Sequence, residues 1–143
     1  MALPGKYSVR LTAGSWTSTQ PLTIIEDPRI LKDGVTWSDL QEQFDHNIRV
    51  RDLVSDANKT VQRLRAAQAK ATGETKAKLN DLAGSLLTPP IRYSQPGLVT
   101  HITYLYGMTN ATDQKVGRDA VERYTYLRKE LDRRIAELDS ILK

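Results

Sequence analysis

Residues 36–72 decide the fold of this chain, and they read TWSDLQEQFDHNIRVRDLVSDANKTVQRLRAAQAKAT. The stretch contains neither glycine nor proline. Its apolar residues recur every three to five positions, at Leu40, Phe44, Ile48, Leu53, Ala57, Val61 and Leu64. This spacing is typical of one buried face of an α-helix. We predict one long helix over roughly 37–71, about 50 Å long at 1.5 Å per residue. Ser38, with Gln41 three residues later, is predicted to form its capping box.

Three further helices are predicted beyond Thr72-Gly73, over roughly 74–87, 97–109 and 117–142. The last of them carries a heptad-like apolar stripe, formed by Val121, Tyr124, Leu127, Leu131, Ile135, Leu138 and Leu142. Long helices with narrow apolar stripes pack antiparallel to one another. The sequence therefore predicts a mainly α fold over residues 36–143. We expect an antiparallel bundle of three to four helices, two of them long.

The N-terminal part has the alternation of a strand rather than of a helix. Apolar and polar residues alternate from Tyr7 to Thr12, and Ala13-Gly14-Ser15 supplies a turn before a second apolar run. We predict a short β-hairpin over roughly 6–26, with an unpaired edge or a bulge at Pro21. Residues 30–35 are predicted as a linker, so residues 1–35 form a unit separate from the bundle.

The net charge of +4 is concentrated in one segment of the 143-residue chain. The segment 59–78, here called the basic segment, holds six basic residues and a single acidic one, Glu74. A basic patch can attract nucleic acid, anionic lipid or an acidic protein. A solvated helix end is the favoured interpretation, since the segment has no aromatic residue to stack on bases. No apolar run approaches the roughly 18 residues that a membrane span requires, so no membrane partner is expected.

Patterns typical of catalysis or cofactor binding are absent from the sequence. It has no cysteine, which excludes disulfides, zinc–thiolate sites, iron–sulfur clusters and thiol nucleophiles. His46 and His101 lie on different predicted helices and outside metal-binding spacings. Neither a phosphate-binding glycine loop nor a GxSxG nucleophile elbow occurs. We therefore predict no cofactor, no metal and no catalytic residue, and expect a surface or half-buried position for each histidine.

The candidate functional residues form a partner surface rather than an active site. Trp16 lies at the predicted hairpin tip, where little of the chain's own surface is available to cover it. The basic candidates are Lys59, Arg63, Lys70, Lys76 and Lys78. Among the tyrosines, we predict Tyr104 and Tyr124 near the bundle seam, and Tyr106 and Tyr126 outside it.

The N-terminal part contains two motifs, PGKYSVRL at residues 4–11 and PLTIIEDPR at residues 21–29. They resemble the C-terminal region of large bacterial sortilin-like proteins with BNR-repeat β-propellers, which are often labelled glycosyl hydrolases. Residues 4–11, PGKYSVRL, look like the strand that closes an immunoglobulin-like module in that family. Pro21-Leu22-Thr23-Ile24, followed by Asp27-Pro28-Arg29, looks like the segment that follows. Residues 113–116, DQKV, lack the proline that the family has before its last helix. The resemblance implies that the hairpin is a remnant of an immunoglobulin-like module.

The resemblance also implies a parent protein whose propeller carries any substrate site, and a secreted or periplasmic compartment. No carboxylate here matches a catalytic position of that family. We therefore expect a non-catalytic accessory or protein-interaction module, with the parent propeller domain or another protein as its partner. As a further expectation, the exposed hairpin edge predicts that the chain either forms a homodimer or packs the hairpin on its own bundle. The alternative is a binder of nucleic acid or of an acidic partner through the basic segment, with nucleic acid the less favoured.

Overall fold

A computed structural model describes residues 2–143 and shows a two-stranded hairpin followed by helices. The strands are β1 (Gly5–Ala13) and β2 (Trp16–Ile24). The helices are α1 (Pro28–Lys32), α2 (Trp37–Gln68), α3 (Gly73–Leu86), α4 (Leu98–Asn110) and α5 (Arg118–Ile141). The predicted fold class, a mainly helical bundle preceded by a β-hairpin, is confirmed.

The short helix α1 replaces part of the linker predicted over residues 30–35, and the four helices after it, α2 to α5, agree with the three to four predicted for the bundle. Asp27 caps α1 by accepting a hydrogen bond from the backbone N–H of Arg29 at 2.8 Å. The Arg29 guanidinium also binds the Asp27 carboxylate at 2.6 Å. These hydrogen bonds from Arg29 lower the pKa of Asp27 to about 2. Pro28 occupies the first turn, where its missing N–H costs nothing.

Helix α2 begins with a capping box, but not the one expected at Ser38. The Thr36 hydroxyl accepts from the Asp39 N–H at 3.2 Å, and the Asp39 carboxylate accepts from the Thr36 N–H at 2.9 Å. The predicted Ser38 cap is wrong because Trp37 already starts the helix, whereas Thr36 has extended backbone. The helix ends at Gln68 rather than near 71, and Thr72 is the N-cap residue of α3.

The core forms where α2 packs against α3, α4 and α5. Its fully buried members are mostly leucines drawn from all four helices: Val50, Leu53, Ala57, Leu64, Leu79, Leu82, Leu86, Ile102, Leu127, Leu131 and Leu138. Two ion pairs join α2 to α5 beside this core, Arg128 with Asp56 at 2.9 Å and Arg63 with Asp139 at 2.6 Å. Burial of the leucines is the larger contribution, since exposed pairs add at most about 1 kcal/mol each.

The buried side chain of Gln43 on α2 forms hydrogen bonds with the end of α4 and with the loop between α4 and α5. Its amide nitrogen donates to the carbonyl oxygens of Thr109 and Thr112, at 2.8 and 2.6 Å. Its amide oxygen accepts from the N–H of Gln114 at 3.1 Å. Asn47, one turn later, donates to the same Thr109 carbonyl at 3.1 Å. The polar backbone at the end of α4 is thereby paired inside the protein.

Gly97, which caps α4, lies against the end of α3. A Cβ atom at this position would stand 2.5 Å from the carbonyl carbon of Leu87 and 2.6 Å from the carbonyl oxygen of Leu86. We expect Gly97→Ala to lower the free energy of unfolding by about 1–3 kcal/mol, because backbone cannot yield as a flexible side chain does. Urea titration followed by far-ultraviolet circular dichroism measures the change.

Gly107→Ala is the matched control, since Gly107 lies within α4 and a Cβ there would meet no atom within 4 Å. This change should raise the free energy of unfolding by about 0.5–1 kcal/mol, because alanine favours the helix. Equal effects of the two substitutions would contradict the close approach of α4 to α3.

Candidate functional site

The hairpin has a regular register with a two-residue loop. Its nine cross-strand pairs run from Ala13–Trp16 at the loop to Gly5–Ile24 at the base. Gly14 has a φ of +60°, as the first loop position of a type II′ turn requires. Pro21 lies within this ladder opposite Ser8, without a bulge. Of the two alternatives expected at Pro21, the bulge is therefore wrong.

One face of the hairpin is apolar and open to solvent. Residues directly opposite each other share a face, so Tyr7 lies beside Leu22, and Val9 and Leu11 follow on the same side. The exposed fractions of Val9 and Leu11 are 50% and 61%. Trp16, at the loop end of this face, is 56% exposed. The opposite face is polar, and there the hydroxyls of Thr12 and Thr17 lie 3.2 Å apart.

No helix packs against either strand in the described part of the chain. The hairpin meets the bundle only at its base, where Ile24 and Ile25 lie near Leu40 and Asp113 around a cavity of about 60 Å³. The expectation that the hairpin packs on its own bundle is therefore wrong. A two-stranded sheet with an uncovered apolar face is marginal in water, so this face is the strongest candidate for an interaction surface.

The basic segment lies at the other end of α2. Lys59 is exposed near the end of that helix, Lys70 follows it, and Lys76 and Lys78 lie in the first turns of α3. Two of its predicted members are already paired, Arg63 with Asp139 and Lys78 with Glu74 at 2.7 Å. The 32 residues of α2 span about 48 Å. Trp16 and the basic residues therefore belong to separate parts of the protein, and over residues 2–143 no contact joins the strand of Trp16 to α2 or α3.

The two histidines differ in burial, and one of them departs from expectation. His101 is half-buried, as predicted, whereas His46 is completely buried, and neither of its ring nitrogens has a hydrogen-bond partner among residues 2–143. Its ring meets Tyr124 edge to face, with 6.0 Å between ring centroids. The pKa of His46 is lowered, first by burial and then by the nearby Arg49, with Glu42 opposing. The imidazole is therefore held in its neutral form.

The described residues form no cluster of metal ligands, and two of the tyrosines lie on other faces than predicted. Within residues 2–143, no group of three histidine, aspartate or glutamate side chains is arranged to hold a metal ion. The predicted positions of Tyr104 and Tyr106 are exchanged: Tyr104 is 67% exposed, whereas Tyr106 packs against the core. Tyr104 and Met108 instead line a shallow groove of about 220 Å³ between α4 and α5, which the sequence analysis missed.

The buried neutral imidazole of His46 predicts a pH dependence of stability. Its pKa is lower in the folded chain than the ordinary value of 6.5, so the unfolded chain binds the proton more readily. The stabilisation from the neutral ring is complete at pH values above 6.5, and it is lost as the pH falls toward the lowered pKa of His46. We expect the free energy of unfolding to decrease as the pH is lowered from about 7 through 6.5 toward the depressed pKa of His46. Urea titrations at several pH values measure this slope.

His46→Phe should flatten that slope, because phenylalanine keeps the ring contact with Tyr124 and has no proton to bind. The carboxylates are the same in both proteins, so the difference between the two profiles isolates His46. If the variant keeps the slope of the wild type, the assignment to His46 is refuted.

Comparisons with known proteins give no relative: no family model, no curated protein and no solved structure matches the chain. Among the described residues, none of the helices is both long and apolar enough to cross a membrane.

Proposed function

We propose that this chain is a non-catalytic protein-interaction module in which the bundle carries the hairpin and a partner protein covers its apolar face. The observation that supports this most directly is the exposure of Val9, Leu11 and Trp16 on one face of a hairpin that no helix covers. Large apolar side chains gathered on an open face mark contact sites, whereas single exposed ones do not.

The dimensions of the hairpin fit a docking element. Nine residues per strand extend about 30 Å, and two strands are about 10 Å wide, which gives a face of roughly 300 Å². At the base, Ile24 and Ile25 line a shallow depression with Trp37, which is 51% exposed, so the apolar surface continues onto the start of α2. A partner with an apolar sheet of its own would pack on this surface at the usual spacing of about 10 Å.

The resemblance to sortilin-like BNR-repeat proteins favours one partner within this class. The bundle would be the C-terminal part of a larger propeller protein, and the hairpin would belong to an immunoglobulin-like module of that parent. A secreted or periplasmic location goes with this proposal. Any glycosyl hydrolase activity would belong to the propeller, because no carboxylate of this chain matches a catalytic position of that family.

Photo-crosslinking from two adjacent strand positions tests the docking face. A benzophenone amino acid at Leu11 projects from the apolar face, whereas the same group at Thr12 projects from the polar face. In the cell that makes the protein, we expect Leu11 to yield a covalent adduct with another protein and Thr12 to yield far less. Mass spectrometry of the adduct then shows whether the partner carries a propeller.

Adducts of equal yield from both positions, or none from either, would reject the hairpin face as the docking surface. An adduct from Leu11 with a protein that has no propeller would keep the interaction module and reject the propeller parent. Far-ultraviolet circular dichroism of both proteins verifies that the hairpin and bundle are retained.

Trp16 should contribute most to that contact, since large aromatic side chains dominate interface energies. With the purified partner, we expect Trp16→Ala to weaken binding at least about tenfold, or about 1.4 kcal/mol. Thr17→Ala, one residue along on the polar face, is the control and should leave affinity within about twofold. Isothermal titration calorimetry measures both, and a Trp16→Ala affinity equal to that of the control would exclude Trp16 from the contact.

The alternative proposal, binding of nucleic acid or an acidic partner, rests on Lys59, Lys70 and Lys76, which form no ion pair among the described residues. It predicts an affinity for double-stranded DNA that falls steeply with added salt and is lost on replacing these lysines by glutamine. The hairpin proposal predicts partner binding that is insensitive to both changes. Measurements at low and high salt therefore separate the two functions.

A further inference from the structure

The two edges of the hairpin are not equivalent. A two-residue loop is closed by a hydrogen-bonded pair, Ala13–Trp16, and the pairs then alternate between bonded and non-bonded. Ser8–Pro21 is therefore a non-bonded pair, in which the backbone groups point away from the ladder. Pro21 has no N–H to present, so it interrupts the outer edge of β2. On β1, Lys6, Ser8, Arg10 and Thr12 present outward N–H and C=O groups without interruption.

We propose that β1 pairs along this open edge with β1 of a second copy of the chain, antiparallel and around a two-fold axis. The result is a four-stranded sheet in the order β2–β1–β1–β2, with the interrupted β2 edges outermost. A two-fold axis perpendicular to the sheet brings the same edge of each copy together and keeps the apolar faces on one side. This proposal concerns the edge of the hairpin and stands independently of the docking proposed for its face.

The register of this pairing follows from the strand itself. Val9 is the midpoint of β1 (Gly5–Ala13), so an axis at Val9 pairs all nine residues of each strand. Lys6 then lies opposite Thr12 of the second copy, and Ser8 opposite Arg10. Moving the axis to Ser8 would place Lys6 opposite Arg10, and moving it to Arg10 would place the two arginines together. Like charges directly opposite each other are destabilising, so charge also selects Val9.

The pairing supplies main-chain hydrogen bonds and apolar contacts that the isolated hairpin lacks. Four bonded pairs exchange about eight main-chain hydrogen bonds across the new ladder. On the apolar face, Tyr7 of one copy meets Leu11 of the other, and the two Val9 side chains meet at the axis. The shared face grows from roughly 300 to roughly 600 Å², since strands lie about 4.8 Å apart. The four strands also meet the minimum of three that a sheet with an apolar face needs to be stable in water.

Paired proline substitutions test the edge. Arg10 and Thr19 face each other in a non-bonded pair, so proline at either removes one outward N–H and no bond within the hairpin. Analytical ultracentrifugation at protein concentrations up to about 1 mM detects the weak association expected of so small an interface. We expect the wild type and Thr19→Pro to dimerise, and Arg10→Pro to raise the dimer dissociation constant at least about tenfold. Arg10→Thr retains the N–H and should dimerise like the wild type. This variant separates the effect of losing the edge N–H from the effect of losing the positive charge.

Single-cysteine variants test the register, because the natural chain contains no cysteine. At the axis the two Val9 Cα atoms would lie about 4.5 Å apart, within the range of a disulfide. Leu11 would lie four residues from its counterpart, about 13 Å away and out of reach. Under mild oxidation, we expect Val9→Cys to form covalent dimer at least about tenfold faster than Leu11→Cys or Gln20→Cys.

Each other outcome overturns the proposal. A wild type that stays monomeric at every concentration excludes β1 self-pairing, yet leaves the test of the docking face from Leu11 and Thr12 in force. Dimers that persist in Arg10→Pro with a folded hairpin exclude the β1 edge. Equal cross-linking of Val9 and Gln20, which share the apolar face on different strands, would show face-to-face packing instead.

Discussion

The unbroken helix α2 is the constraint on which the rest of the structure depends. All three of the other long helices pack on it, and its buried stripe from Leu40 to Leu64 supplies one wall of the whole core. The helix can serve this purpose because no glycine or proline interrupts it, and because Thr36 and Asp39 satisfy its first backbone groups. An isolated helix of this composition gains little from propensity alone, so the packing and the helix stabilise each other.

The first turns of α2 also form buried hydrogen bonds with the end of α4 and the loop that follows it. Gln43 and Asn47 bind the carbonyl of Thr109, and Gln43 also binds the loop that leads into α5. Directly before them, Leu40 lies close to the hairpin base together with Asp113 of that loop. The same end of the bundle therefore sets the direction in which α5 returns and the place from which the hairpin projects.

The sequence predicted the long elements well because their signals are repeated many times, as in the stripe of α5. The sequence-based prediction was wrong where the local residues are compatible with two different structures. Thr36 with Asp39 and Ser38 with Gln41 both fit a capping box, and α1 is too short to show a period. The faces of Tyr104 and Tyr106 depend on how α4 is rotated against its neighbours. The exposure of Trp16 was predictable from its place at a hairpin tip, whereas the pairing of Arg63 with Asp139, 76 residues away, required the fold.

The hairpin lies outside the core, and this separation has a consequence for how the protein can change. A substitution at Val9 or Leu11 alters the shape of the exposed sheet without disturbing a leucine of the bundle, because no helix in the described part of the chain packs against these two residues. Under the proposed function, mutations in the strands are selected for their effect on partner binding, and mutations in the bundle for their effect on folding. A scaffold divided in this way can acquire a new binding specificity through its first 25 residues while the remainder of the chain stays as it is.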